Sequence, residues 1–275
     1  MRGEKPMRSQ ESLRREEEIV VRHAPRAADA TLQALAAPDL ARLPRARLLA
    51  MRAAGCEIRE CFRVLQKGGL NLVGEVLRGQ GTFYEMAHYP ENDVFDEASH
   101  AQYYYHAHRA GEHGHFHAFL RRGGMPQGMT PLDLPHDEAW PEGDAQLAHL
   151  IAISMDGYGF PIGLFTPNRW VVDDAWFSAT DLIRMLDAFR VDHAYPSWPV
   201  NRWIGAMMVL FRPHIERLLR ARDRAFADWR TLLPGEDVLE RRQIEIFSSM
   251  PIAVDDTIAA VHRALEGKYR QETHQ

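Results

Sequence analysis

The sequence predicts an α+β fold: a small antiparallel sheet of about four or more strands, packed between an N-terminal and a C-terminal helical region. Three observations carry this. Residues 39–67 place Leu40, Leu43, Leu48, Met51, Ile58, Phe62 and Leu65 mostly at i, i+3, i+4 and i+7, the stripe of an amphipathic helix. Residues 82–172 replace the Arg/Ala/Leu pattern with Tyr, Phe, Gly, Pro and His. The last hundred residues return to helical spacing.

Taken in order, residues 10–67 read as helix, with Pro44 suited to a first turn and Gly68-Gly69 to a stop. A shorter helix follows over Asn71–Leu77. Cys56 and Cys61 sit five apart, roughly 140° around a helix, so they cannot bridge and read as buried thiols. Strands are expected at Gln102–Arg109, His115–Arg121, Gln146–Met155 and Pro161–Thr166, the last two joined by a turn at Asp156-Gly157. Residues 123–143, with three prolines, read as a loop that could act as a lid. Helices are expected at Ala175–Phe189, Arg202–Phe211, Pro213–Leu233, Val238–Phe247 and Asp256–Glu266. Asp255 and Asp256 belong to a helix start rather than to a catalytic acid pair. The chain is expected to form one domain, 1–275, divided into helical 1–80, histidine-rich β 81–172 and helical 173–275.

Composition narrows the function classes. Hydrophobic residues make up 45% and charged residues 26% of 275, which suits a globular chain with a real core. A net charge of −5 argues against a general nucleic-acid binder. Two cysteines cannot staple a fold of this size. No apolar run reaches the length of a membrane span, and the first 20 residues are charged throughout. The expectation is a cytoplasmic protein with no nucleic-acid and no membrane partner, acting on a small molecule if it is an enzyme.

Histidine is the unusual residue. Six of the 14, His100, His106, His108, His113, His115 and His117, fall within 18 positions. Residues 85–144 hold 3 Arg against 11 Asp/Glu, so the histidines lie in an acidic stretch that suits a cation. If Gly111-Glu112 is a two-residue hairpin loop, His108 faces His115 and His106 faces His117, and all four imidazoles share one face with Tyr104. An even loop preserves that face and an odd one destroys it. Imidazoles so placed can converge on one ion, about 2.0–2.1 Å from each nitrogen. His106, His108, His115 and His117 are therefore the candidate ligands, and Glu112 a ligand or base. Glu112, Asp93, Asp96 and Glu97 could hold the rings from behind. The ion would be Fe, Zn, Mn, Ni or Cu. Tyr103, Tyr105 and Phe116 fall on the opposite, core face. His100 and His113 could extend the site, His149 reads as an ordinary sheet histidine, and Arg169 as the partner of Asp173.

The string QYYYHAHRAGEHGHFHAFLR resembles the signature of a bacterial family described as a domain of unknown function. The resemblance runs from HYPENDVFDEASH (88–100) to GLFTPNRWV (163–171) and implies a self-contained bacterial protein, with no activity attached. His113-Gly-His115-Phe-His117-Ala-Phe119 also resembles the motif of histidine-triad nucleotide hydrolases and transferases, which implies His115 as nucleophile. His106-Ala-His108-Arg-Ala-Gly-Glu112 is similar to the HxHxxxE core of the first cupin motif, which implies two histidines and the glutamate on a divalent ion. The flanking glycines of that motif are missing, and Thr166 stands near the place of its downstream histidine. Three functions remain open: a metal-dependent oxygenase or hydrolase of a small molecule, a non-catalytic metal-binding protein, and a nucleotidyl hydrolase using His115.

Overall fold

A computed structural model describes residues 35–136 and 138–273. The first part of the expected 10–67 helix, residues 10–34, lies outside the described residues. Helix α1 (Arg45–Lys67) begins after Pro44 and ends at Gly68, whose N–H bonds the carbonyl of Leu65 at 2.9 Å. Its buried face is Leu48, Met51, Ala54, Gly55, Ile58, Cys61 and Leu65, the 3–4 spacing of one helical stripe. Gly55 is required there, because a Cβ would stand 2.7 Å from Ile258 of the last helix. Cys61 is buried, but Cys56 is exposed on the opposite side, which corrects the expectation of two buried thiols. Asn71 caps the short helix α2 (Leu72–Leu77) by accepting from Gly74 N at 2.8 Å.

Six strands follow: β1 (Tyr89–Phe95), β2 (Ala101–His106), β3 (Gly114–Arg121), β4 (Leu147–Met155), β5 (Pro161–Pro167) and β6 (Ile246–Pro251). They form one sheet in the order β1-β2-β3-β4-β5-β6, every neighbour antiparallel. Between β5 and β6 come α3 (Arg169–Val172), α4 (Ala179–Met185), α5 (Trp198–Leu210) and α6 (Arg212–Leu232); α7 (Val254–Thr273) ends the described chain. The α+β class holds, with seven α-helices and a six-stranded sheet among the described residues. No helix among them is long and apolar enough to cross a membrane.

Two strands differ from the sequence reading. Residues 238–247 form a 3-10 turn, Val238–Glu240, and lead into β6 instead of a helix. The strand is specified by its partners: Ser248 Oγ pairs with Thr166 Oγ1 at 2.7 Å and donates to the carbonyl of Leu218 at 3.0 Å. The edge strand β1 contains Pro90 and a register shift between Tyr89 and Val94, with Asn92 and Asp93 at positive φ, so it lacks any alternating signature. The β4–β5 turn forms as expected, although Gly159, not Gly157, takes the left-handed conformation, while Asp156 Oδ1 accepts from Tyr158 N and Phe160 N.

The sheet has one face on the helices. Tyr103, Tyr105, Phe116, Ala118 and Leu120 are all buried there. Phe116 packs on Trp203 of α5 at 5.3 Å between ring centroids, and Tyr103 donates to Asn201 Oδ1 at 2.5 Å. This anchors β2 and β3 and leaves their alternate residues to form the other face.

Candidate metal centre

On that other face, His106 pairs with His115 and Tyr104 with His117. The expected pairs were His108 with His115 and His106 with His117, so the register is displaced by two residues. The chain between the last paired residues is 107–114, not a two-residue turn at Gly111-Glu112. The cause is that neighbours claim the loop. Ala107 O accepts from Met86 N, His113 N donates to Met155 O, and His113 Nδ1 meets the Tyr105 hydroxyl at 2.7 Å. Gly114 permits the close return, since a Cβ there would lie 2.5 Å from the Tyr105 oxygen. Eight intervening residues is an even number, so the parity survives and His106, His115 and His117 share a face.

The three rings are buried, with His115 and His117 fully so. His106 Nε2 lies 2.7 Å from His115 Nε2 and 3.1 Å from His117 Nε2. One ligand atom from each falls within 4.8 Å of the others, a group able to hold a metal ion. Nitrogens about 2.0–2.1 Å from a common ion and roughly 90–110° apart would be about 2.8–3.4 Å from each other. The 3.1 Å spacing falls in that range and the 2.7 Å spacing just short of it.

The outer nitrogens are held from behind. Glu112 Oε1 sits 2.5 Å from His115 Nδ1, and His149 Nε2 sits 2.9 Å from His117 Nδ1. Burial pushes the Glu112 carboxyl up, but bonds from His115 and Ser154 outweigh it and the net shift is down. As a carboxylate Glu112 only accepts, so neutral His115 carries its proton on Nδ1 and presents a lone pair inward. If His117 likewise donates to His149, the three inward nitrogens share one proton, on His106, between two acceptors. Burial, reinforced by the neighbouring histidines, lowers the pKa of His106 to about 2 and that of His117 well below its ordinary value. His115 is lowered too, burial outweighing Glu112. Burial takes His149 down to about 3, with a contribution from Arg222. The inner rings are therefore neutral at pH 7, the state that binds metals.

His108 lies on the loop rather than on β2 and falls outside this close group. Its ring stands 4.9 Å from that of His106 and 5.1 Å from that of His115. Arg109 covers Phe165 at 4.4 Å, within 4 Å of both Glu112 and Glu245, while the Phe165 ring meets His115 at 5.1 Å. His113 belongs to the Tyr105 side and stacks on Phe83, and His100 is a turn residue at positive φ against Phe95, so neither joins the group. Of the expected acids besides Glu112, Asp93 bonds His88 and Gln102, and Asp96 caps backbone N–H groups at Ala98, Ser99 and Asp192. Arg169 pairs with Asp173, as expected, and also with Glu240.

Three neighbours escaped the sequence reading. His149 reaches this face because the β3–β4 register slips between Ala118 and Phe119: Ala118 opposes Ile151, yet Phe119 opposes His149. Without that extra residue His149 would point to the helices. Asp174 Oδ2 accepts the His149 backbone N–H at 2.9 Å; burial raises the Asp174 carboxyl to about 7. His88, just before β1, stacks flat on Tyr104 at 3.6 Å and stands edge-on to His106 at 5.7 Å. Residue spacing gives no signal for His149 or His88, since the first depends on a register slip and the second on the edge strand.

No curated protein and no solved structure matches the chain. A family profile does match, over residues 52–252, which spans β1 to β6, the loop carrying His108 and every histidine of the centre. The chain belongs to the family described as Domain of unknown function (DUF6969).

Proposed function

We propose that this protein binds one divalent transition metal through Nε2 of His106, His115 and His117, with His108 as a fourth ligand or as the side chain over an open position. The observation that carries the reading is the convergence of three buried Nε2 atoms, with Glu112 behind His115 and His149 behind His117. Imidazole-dominated ligation fits Fe, Zn, Mn, Ni or Cu. Glu112 serves best as the group that orients His115, since its carboxylate meets Nδ1, the nitrogen away from the other two rings.

Three ligands leave room for water, oxygen or a small-molecule substrate, and the reaction class is then metal-dependent hydrolysis or oxygenation. A storage or purely binding role is the second reading, and His108 swinging in to fill the last position would favour it. The nucleotidyl-transfer reading suits the site less well. The His115 ring is fully buried, with its inner nitrogen turned toward His106, so a phosphate has no approach to it.

The test is metal reconstitution of the wild type and of His106→Ala, His108→Ala and His115→Ala, read by X-ray absorption at the metal edge. The expected result is three or four nitrogen ligands at about 2.0–2.1 Å, lost in the first and third variants. A spectrum of weakly bound ion with oxygen ligands only, or equal uptake by every variant, would sink the proposal.

A further inference from the structure

Along the same sheet face, beyond Tyr104, lies an open cleft of about 720 Å³. Its floor is Gln102 and Arg121; its wall is the segment 80–95, including Thr82, Tyr84, His88 and Asp93. Gln102, Tyr104 and His106 are successive outward residues of β2, so the floor begins roughly 13 Å from His106, with Tyr104 midway. His88 is the partition. It lines the cleft on one side and, stacked on Tyr104, presents its ring to His106 on the other.

The lining is built rather than incidental. A chain of hydrogen bonds runs from His88 to Asp93 (3.0 Å), Gln102 to Asp93 (2.5 Å) and Arg121 to Gln102 (2.5 Å). The wall carries three non-glycine residues at positive φ, Met86, Asn92 and Asp93, a conformation that L side chains rarely adopt and that Met86 holds against strain. The adjoining glycines Gly79 and Gly81 are also at positive φ, and Tyr84 and Met86 stand about two-thirds exposed at the rim. Such strain persists where a surface must keep a particular shape. Asp93 meets His88 and Gln102, Arg121 meets the Gln102 amide oxygen and the Phe95 ring, and the exposed Glu91 carboxylate also lines the cleft. The lining thus offers a ligand aromatic surface with hydroxyl, amide and charged polar groups.

We infer that this cleft is the substrate pocket of the histidine centre, shaped for a small polar molecule bearing hydroxyl or amide groups beside a flat apolar part. The inference rests on the metal reading above. A substrate would lay its flat part in the cleft and reach past His88 with its polar end toward His106.

Two hydroxamic acids test it as probes on the Co(II)-loaded protein, read from the visible spectrum. Acetohydroxamic acid needs only the ion, whereas benzohydroxamic acid must also place its ring. Thr82→Trp, at an exposed position of the wall, fills the cleft and leaves His106, His115 and His117, which do not line it, in place. The expected result is benzohydroxamate binding at least about 10-fold tighter than acetohydroxamate in the wild type, with that advantage gone in Thr82→Trp and acetohydroxamate unchanged. His88→Ala should alter benzohydroxamate affinity while leaving cobalt content intact. Cobalt bound normally, but with both probes indifferent to Thr82→Trp, overturns the cleft assignment alone. A wild type that takes up no cobalt overturns the metal reading, and the cleft assignment with it.

Discussion

The two faces of the β2–β3 hairpin are built from alternate residues of the same fourteen positions, yet they solve opposite problems. On the core face, Tyr103, Tyr105 and Phe116 bury aromatic rings against α5, and the buried polar atom of Tyr103 has its partner in Asn201. That face gains from burial without help from anything else. On the other face, His106, His115 and His117 are equally buried, but their inner nitrogens crowd together, 2.7 and 3.1 Å apart. This face costs stability unless something accepts the lone pairs. The comparison teaches that the core face holds the hairpin, and the histidine face uses the stability so gained to hold three ligands ready.

The largest expected effect breaks this division from the core side. Phe116→Ala should lower stability by about 3–5 kcal/mol through the cavity left against Trp203, with the metal stoichiometry of the folded fraction unaltered. His117→Ala should do the reverse, abolishing metal binding at a smaller cost to the metal-free fold. Chemical denaturation paired with elemental analysis checks both.

Next comes pH. His106, His115, His117 and His149 have folded pKa values below their ordinary one, so the unfolded chain takes up protons that the folded chain refuses once the pH falls below about 6.5. Stability of the metal-free protein should fall by up to about 1.4 kcal/mol per histidine per pH unit there, continuing toward the values of about 2 and about 3 for His106 and His149. Asp174 works in the other direction. Its folded value of about 7 means that the folded chain keeps a proton the unfolded one has released, so it gains stability as pH falls from 7 towards 4 and offsets roughly one histidine. Denaturant midpoints at pH 7.5, 6.5 and 5.5 should show the net decline. A flat or rising profile would contradict neutral buried rings. Asp174→Asn should steepen the decline.

The smallest effect sharpens the roles behind the ligands. Glu112→Gln removes the carboxylate that fixes the His115 tautomer and should weaken metal affinity by about 10–100-fold without abolishing it. Competition with a chelator of known affinity reads this directly. Complete loss would make Glu112 a ligand itself.

How much of this was legible in the chain follows from what each feature depends on. The helical stripe of α1, the caps at Asn71 and Gly68, and strands β2 to β5 rest on local periodicity and turn chemistry, and the sequence carries them. The shared face of His106, His115 and His117 was legible because parity survives any even loop, even though the register itself was displaced. His108 was misplaced for the same reason: pairing alone would have kept it on the strand, while backbone bonds to Met86 and Met155 pull the loop out of the ladder. His149 and His88 were invisible, one brought round by a β-bulge and the other held on an edge segment. β6 was hidden because the bonds of the Ser248 hydroxyl to the Thr166 hydroxyl and the Leu218 carbonyl, rather than its own alternation, make it a strand.

The central claim is that the histidine face exists to hold a metal. Elemental analysis of the untagged protein, purified without chelators, tests it most directly. The account predicts close to one transition-metal ion per chain, retained through dialysis or recovered on reconstitution. Less than about 0.2 ion per chain, with no uptake from any of Fe, Zn, Mn, Ni or Cu, would contradict it.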